Sequence, residues 1–416
     1  MNICMYFQVH QPYRVRRYRV FDIGNDSSYF NASDQTDLNN KKVFEKVANK
    51  CYLPANKVFL DLLNKYPEFK ISYSLSGVFM EQAEEFMPEV IESFKKLVNT
   101  GRVEILAETY YHSLSFLYSR DEYESQIKLH AKKVKELFGA EPKVFRNTEL
   151  IYNDYIGNII EGLGYRGILT EGADKVLGWQ SPNYLYKASG TNNLKMLLKN
   201  YKLSDDVAFR FSEKSWKEHP LTVDKYAQWL SQPQGDIINL FMDYETFGEH
   251  QWEDSGIFEF LKHFPGEVLK NPHNKFMTPT EAVEKLNTVT DLSIPYYISW
   301  ADTERDLSAW MSNAIQKDAM EKLFSMEKRV KDTMDNIIIH DWRKLTTSDH
   351  FYYMCTKWFA DGDVHKYFNP YETPYDAFIS YMNVLKDIQL RLDGIEKRLR
   401  TVEENVISGS SQAGPN

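Results

Sequence analysis

Hydrophobic and polar positions follow two alternating rhythms over roughly the first 250 residues of the chain. Short apolar runs bounded by turn residues read as buried strands, and the stretches between them carry helical spacing. Asn2 to Val9 is the first strand, ending at His10-Gln11-Pro12, where Pro12 forces an extended residue before it and stops further pairing. A long loop from Arg14 to Asn40 precedes a helix over Lys41 to Lys65. Lys70 to Leu75 is the second strand, and the helix that starts at Ser76-Gly77 runs to Asn99, with Gly101 closing it. Val103 to Leu106, Lys143 to Arg146, Gly167 to Thr170, Leu194 to Leu198 and Ile237 to Met242 continue the strand series. Helices are expected over Asp121 to Phe138, Asn153 to Gly162 and Val223 to Leu230. Strands alternating with helical stretches predict a parallel α/β sheet, and near-barrel closure suits this length. After His250 the rhythm turns helical, over Asp306 to Leu345 and again over Pro374 to Val406.

Composition narrows the function classes. With 416 residues the chain can bury a large core, and 50 basic against 59 acidic residues give a net charge of −9, which argues against a nucleic-acid partner. No basic segment followed by an apolar one opens the chain, and no apolar run is long enough to span a bilayer, so a cytoplasmic protein with no membrane partner is expected. Cys4, Cys51 and Cys355 form neither an even set nor a Cys-x-x-Cys pair, which predicts no disulfide framework and no cysteine metal site. No close His-x-x-x-His spacing with a nearby Asp pair occurs among His10, His112 and His250, so a metal-dependent hydrolase is disfavoured and no cofactor is expected.

Candidate chemistry collects where apolar runs end, as ligand chemistry does at the carboxyl ends of strands in barrels and open α/β sheets. Past Met242 come Asp243, Glu245, Glu249 and His250, with Tyr244 and Phe247 among them. Asp243 and Glu245 share one side if the strand stays extended, and two like charges there raise a carboxyl pKa for acid work. A solvated acidic loop is the plain alternative. Glu149 lies just past the strand that ends in Arg146, a cation that could hold the carboxylate ionised, or form an ordinary salt bridge with it. Glu104 sits inside a strand, where a charge is expensive unless paired or functional. The chain is 14% aromatic, and Trp179, Trp252, Trp300, Trp310 and Trp358 are candidate stacking platforms for sugar rings, two or three of them expected in the core instead.

Five stretches in order carry a resemblance: His10-Gln11-Pro12, Gly101 to Glu104, the strand ending at Glu149, Asp243-x-Glu245-x-Phe247-Gly248, and Thr347 to Phe351. Together they resemble glycoside hydrolase family 57, and Met242 to Trp252, Ser299 to Trp310 and Asp361 to Phe378 are similar to its α-amylase branch. The resemblance implies an incomplete (β/α)7 barrel over residues 1–300, an α-helical C-terminal region over 301–406 completing the active-site cleft, and a flexible tail over 407–416. It implies action on α-1,4-glucans or maltooligosaccharides with retention, Glu149 as nucleophile and Asp243 as acid/base. His10, Glu104, Glu245 and Asp349 would shape the donor-sugar subsite, with Gln11, His250, Trp300, Asp302 and Trp358 as further substrate-binding candidates. Two positions depart from the pattern: Arg102 stands where the family carries Gln, and His350 where it carries an aromatic residue. A retaining pair should hold its carboxyl groups about 5–5.5 Å apart, an inverting pair about 6.5–9.5 Å. A 4-α-glucanotransferase with the same pair, or a catalytically silent glucan-binding relative, are the alternatives; the chain keeps both carboxylates.

Overall fold

Seven parallel strands pair edge to edge in a ring. They are β1 (Asn2–Val9), β2 (Ile71–Leu75), β3 (Val103–Ile105), β4 (Val144–Arg146), β5 (Gly167–Glu171), β7 (Lys195–Lys199) and β8 (Ile237–Asp243), with β6 (Leu185–Ala188) falling between β5 and β7 in the chain. Pairings run β4–β5–β7–β8–β1–β2–β3, and an isolated parallel bridge between Ala107 and Phe145 joins β3 back to β4. These are the seven strands expected from the hydrophobic rhythm. The computed structural model describes residues 1–32, 36–357 and 368–410.

Closure is thin at two places. At β3/β4 the bridge rests on Ala107 N–H to Val144 O and Arg146 N–H to Ala107 O, at 3.0 and 2.8 Å. At β7/β8 the strands pair only at Lys199 and Asn239, because β6 lies antiparallel along the lower half of β7, and Asn183 just before β6 accepts bonds from Asp236 and Ile237. Two short strands complete the sheet: β9 (Lys275–Phe276) pairs with β1 and β10 (Thr288–Leu292) with β6.

Strand periodicity of two sorts the side chains. On β1, Ile3, Met5, Phe7 and Val9 join the large core, whereas Cys4 and Tyr6 join a smaller cluster. On β8, Ile238, Leu240 and Met242 go to the first, Ile237 and Phe241 to the second. The smaller cluster also takes Val144, Leu169 and Leu197 from β4, β5 and β7, so it is the ring interior. Extending that parity to the carboxyl ends places Gln8, His10, Arg146, Glu171, Lys199 and Asp243 on the interior face.

Two expected helices are broken, each at a proline. The helix near residue 50 divides into Asn40–Val47, a π-helical turn Ala48–Tyr52 and Leu53–Lys65. Pro54 lacks the N–H that would bond the Lys50 carbonyl, so the turn widens there. Gly248 packs its backbone against that carbonyl: a Cβ at Gly248 would lie 2.0 Å from Lys50 O, and its φ is +116°. Farther on, Pro88 separates Gly77–Phe86 from Pro88–Val98.

The chain divides into two compact units, Met1–Pro12 with Lys41–Ser308, which contains the ring, and Tyr13–Asn40 with Ala309–Asn416. In the second unit a 37-residue helix, Pro374–Ser410, takes the 13–40 segment: Tyr29 O–H donates to Asp387 at 2.5 Å, and Asn383 donates to Tyr18 O at 3.0 Å. The helix continues past the expected end at Val406, and residues 411–416 of the expected tail lie outside the described ones. His350 takes over an aromatic role, buried against Tyr353 and Tyr381 with ring centroids 6.4 and 5.6 Å away. Among the described residues, no helix is long and apolar enough to cross a membrane.

Candidate active site

Glu149 follows β4 in a tight turn with φ +58° and ψ +25°, a left-handed conformation that a Glu adopts only when its surroundings impose it. The surroundings are identifiable. Asn147 donates to Ile151 O at 2.9 Å and accepts from Tyr123 O–H at 2.9 Å, and Thr148 bonds Thr109 at 3.0 Å. The result is a carboxylate only part-buried, at 21% exposure, and held from both sides. His112 Nε2 lies 3.3 Å from Oε1, and Trp300 Nε1 donates to Oε2 at 2.7 Å. Of the six non-glycine residues with positive φ among those described, five are His112, Glu149, Leu150, Asp302 and Arg305, which cluster in the turns around this carboxylate.

His112 is itself held by Glu108, Nδ1 to Oε2 at 2.9 Å. Gln8 Nε2 donates to the other Glu108 oxygen at 3.1 Å, and Gln8 Oε1 accepts from Tyr6 and Ser74 at 2.6 and 2.8 Å. Burial works against a charge on Glu108, yet the His112 contact, His130 and Arg146 outweigh it and hold the carboxyl down at about 2. For His112 burial again opposes the charge, and the bonds to Glu108 and Glu149 overcome it, raising the imidazole to about 9. At neutral pH the ring is therefore an imidazolium donating to two carboxylates. His10 stacks on it, centroids 4.1 Å apart and planes 22° off parallel, with its Nδ1 2.7 Å from Ser76 Oγ.

Asp243 ends β8 in the opposite electrostatic situation. Burial first, then the Glu149 charge, push its carboxyl up to about 6, against the pull of Arg146, Lys199 and His112. Glu245 goes further: burial, then Asp243, raise it to about 8. The chain does not stay extended between the two, since Tyr244–Thr246 is a 3-10 turn. Glu245 turns instead toward the π-helical segment, where Tyr52 O–H donates to Oε1 and Gln11 Nε2 donates to Tyr52 Oη at 3.1 Å. Two adjoining acids are thus raised by desolvation and by a neighbouring carboxylate while Glu149 sits among donors, the kind of division that assigns an acid and an ionised carboxylate within one cleft.

A sequence profile for glycosyl hydrolase family 57 matches residues 4–295. The chain belongs to glycosyl hydrolase family 57. A Methanocaldococcus jannaschii protein named "Putative alpha-amylase" is 46% identical over 400 residues, covering 94% of this chain and 84% of that one. The α-amylase of Pyrococcus abyssi is 27% identical over 253 residues, 58% of this chain and 36% of that one. Among solved structures, the family 57 branching enzyme of Thermococcus kodakaraensis superposes with TM-score 0.64 at 16% identity, covering 85% of this chain and 86% of that one. The α-amylase AmyC of Thermotoga maritima gives TM-score 0.61 at 14% identity, covering 97% and 96%. These are family 57 enzymes with a (β/α)7 barrel, and this family 57 chain shares their fold.

The structure brings His10, Gln11, Glu149, Asp243, Glu245 and Trp300 together at the carboxyl ends of the ring strands. His250 joins them through its backbone, its N–H donating to Glu245 O at 2.9 Å, while burial lowers its imidazole to about 4. Asp302 lies two residues past Trp300 in a left-handed turn, φ +55°. Glu104 is not brought there. As the second residue of β3 it stands near the amino end of the ring, where its carboxylate accepts from Thr280 N and Thr280 Oγ1 at 2.9 and 2.5 Å and caps the helix Pro279–Lys285. Neighbouring Arg102 serves the same end by donating to Leu63 O at 2.7 Å. Asp349 belongs to the second unit, on the helix Ser348–Tyr352, and Trp358 lies outside the described residues. Of the other tryptophans, Trp310 is core at 1% exposure, and Trp179 and Trp252 are exposed at 93% and 59%. Sequence reasoning passed over Glu108, His112 and Tyr52 as site residues. Glu108 and His112 follow directly on a strand end, so the rule that singled out Glu149 reaches them too; Tyr52 comes into reach only through the π-helical turn.

Proposed function

We propose that the chain cleaves α-1,4-linked glucans of the starch or glycogen type with retention of configuration, Glu149 acting as nucleophile and Asp243 as general acid/base. One observation carries the reading: the surroundings of each acid suit its part. Glu149, between a cationic His112 and the Trp300 indole, is available as an anion, and Asp243, pushed up to about 6 by burial and by Glu149, keeps its proton into the mildly acidic range and can release it. In the first half-reaction Glu149 attacks the anomeric carbon while Asp243 gives its proton to the departing glycosidic oxygen. In the second, Asp243 as carboxylate takes a proton from water, which displaces Glu149. The substrate class is supported by the Methanocaldococcus and Pyrococcus relatives, whose names are those of α-amylases. His10, Gln11, Glu245, His250, Trp300 and Asp302 are the proposed sugar-binding side chains. A cytoplasmic location fits three free, buried cysteines.

Incubation with maltoheptaose tests this, with products sized and their anomeric configuration followed by NMR. Retained α-anomers from the wild type, and Glu149→Ala inactive but still binding glucan, are expected. Inverted products or no turnover by the wild type would overturn it. Products longer than the substrate would assign transfer rather than hydrolysis, the activity named for the relative from Thermococcus litoralis.

A further inference from the structure

Arg146 ends β4 on the interior face of the ring and is fully buried. None of its three guanidinium nitrogens has a hydrogen-bond partner among the described residues. Its Cζ lies 4.9 Å over the Trp300 ring, and Lys199 Nζ bears on that ring at 5.2 Å. The nearby acids are engaged elsewhere, Glu108 with Gln8 and His112, Glu149 with His112 and Trp300. An interior guanidinium without a hydrogen-bond partner is among the most costly things a fold can carry, and an apolar side chain of similar volume would be tolerated better. Of the two roles the sequence left open for Arg146, the ordinary salt bridge with Glu149 is not what the structure contains.

We propose that Arg146 is a positioning residue of the reaction, clamping the Trp300 indole against the nucleophile turn from below and supplying a fixed positive charge beneath Glu149 and Asp243. The proposal rests on the carboxylate pair assigned above. The charged and titratable groups facing Arg146 are Glu108, Tyr6 and Asp243. Those facing Asp243 are Glu149, Arg146, Lys199 and His112, with Tyr6 and Glu245 beside them. Arg146 is the largest of the influences that keep Asp243 from rising further. That restraint matters because Asp243 must give up its proton in the first half-reaction and serve as a base in the second. The same guanidinium holds the ring whose N–H fixes one Glu149 oxygen, so one side chain tunes the acid and orients the nucleophile.

The test compares wild type, Arg146→Met and Arg146→Lys by pH profiles of kcat/KM on maltoheptaose and by thermal unfolding. Without the charge, the basic limb of the Arg146→Met profile should move up by on the order of one pH unit, with kcat reduced at least ~10-fold. Lysine, keeping the charge but not the planar contact, should leave the limb near its wild-type position while still lowering kcat. The Tm of Arg146→Met should stand at or above that of the wild type. An unmoved limb in Arg146→Met, a lowered Tm, or failure of that variant to fold would each make Arg146 a structural residue and overturn the proposal. Absence of turnover in the wild type would instead strike the carboxylate pair itself, an outcome visible before any variant is measured.

Discussion

Glu245→Gln should change the stability of the protein in a strongly pH-dependent way. The Glu245 carboxyl is 7% exposed, accepts the Tyr52 hydroxyl, and is raised by burial and by Asp243 from 4.5 to about 8. A raised acid means that the folded protein keeps a proton which the unfolded chain releases above pH 4.5. Stability is therefore intact below pH 4.5, falls as pH rises toward 8, and is level beyond it. Glutamine accepts the Tyr52 hydroxyl equally well and does not titrate. Relative to the variant, the wild type should lose about 1 kcal/mol by pH 5, about 3 kcal/mol by pH 7 and about 5 kcal/mol above pH 8. Thermal unfolding of both proteins at pH 5, 7 and 9 and matched ionic strength reads this out, since the difference between them cancels the titrating groups that do not couple to Glu245. At roughly 2 °C per kcal/mol for a chain of this size, the advantage of the variant should grow by several degrees across the range. A difference that is constant with pH, or that shrinks as pH rises, would refute the burial argument for the whole Asp243–Glu245 floor.

Three further outcomes follow from the same geometry. Trp300→Phe removes the 2.7 Å donor to Glu149 Oε2, a bond to a charged group worth about 1.5–3 kcal/mol, so kcat/KM on maltoheptaose should fall ~10–100-fold in steady-state assays. His112, raised to about 9, contributes stability that is fully present below pH 6.5 and lost as pH climbs through 9; His112→Gln should flatten the alkaline fall in Tm and lower kcat. Glu104→Ala should cost about 1–2 kcal/mol in denaturant unfolding through the lost helix cap, while leaving kcat within about twofold.

The ring was readable because its strands obey a simple alternation. Each apolar run at the expected spacing became a parallel strand, and parity alone puts Asp243 and Arg146 inside it. The π-helical turn was not read, although Pro54 inside an apolar helical stretch marks where an N–H is missing. Its consequence, Tyr52 reaching Glu245, depends on Gly248 packing against the Lys50 carbonyl from the far end of the barrel sequence, a contact no local rule contains. Glu104 shows the opposite case. As the second residue of β3, three past Gly101, it had to lie near the amino end of its strand, and the rule that ligands gather at carboxyl ends would have excluded it. Glu149 was found by position, but its left-handed backbone was not, because that conformation is imposed by Tyr123, Asn147 and the loop that carries Trp300.

The placement of these strained residues follows from what the two acids need. A nucleophile must be ionised, exposed on one face and fixed in direction, and a tight left-handed turn presents a side chain outward in a way that a strand end does not. The cost of that turn falls on a segment whose neighbours, Asn147 and Thr148, are fully buried and bonded, so it cannot relax by itself. An acid that must keep its proton above the ordinary carboxylate range needs desolvation and a like charge instead, and Asp243, part-buried at the end of the apolar run of β8, obtains both without any special backbone. The two requirements conflict within any single loop, since donors that ionise one carboxylate would ionise the other. Setting one acid in a polar turn after β4 and the other at the end of β8 separates the environments while leaving the charges near enough to couple. That coupling is what raises Asp243 beyond burial alone, and it disappears once Glu149 becomes a glycosyl ester, so formation of the intermediate itself should keep Asp243 ionised after it has protonated the leaving oxygen, ready to act as base.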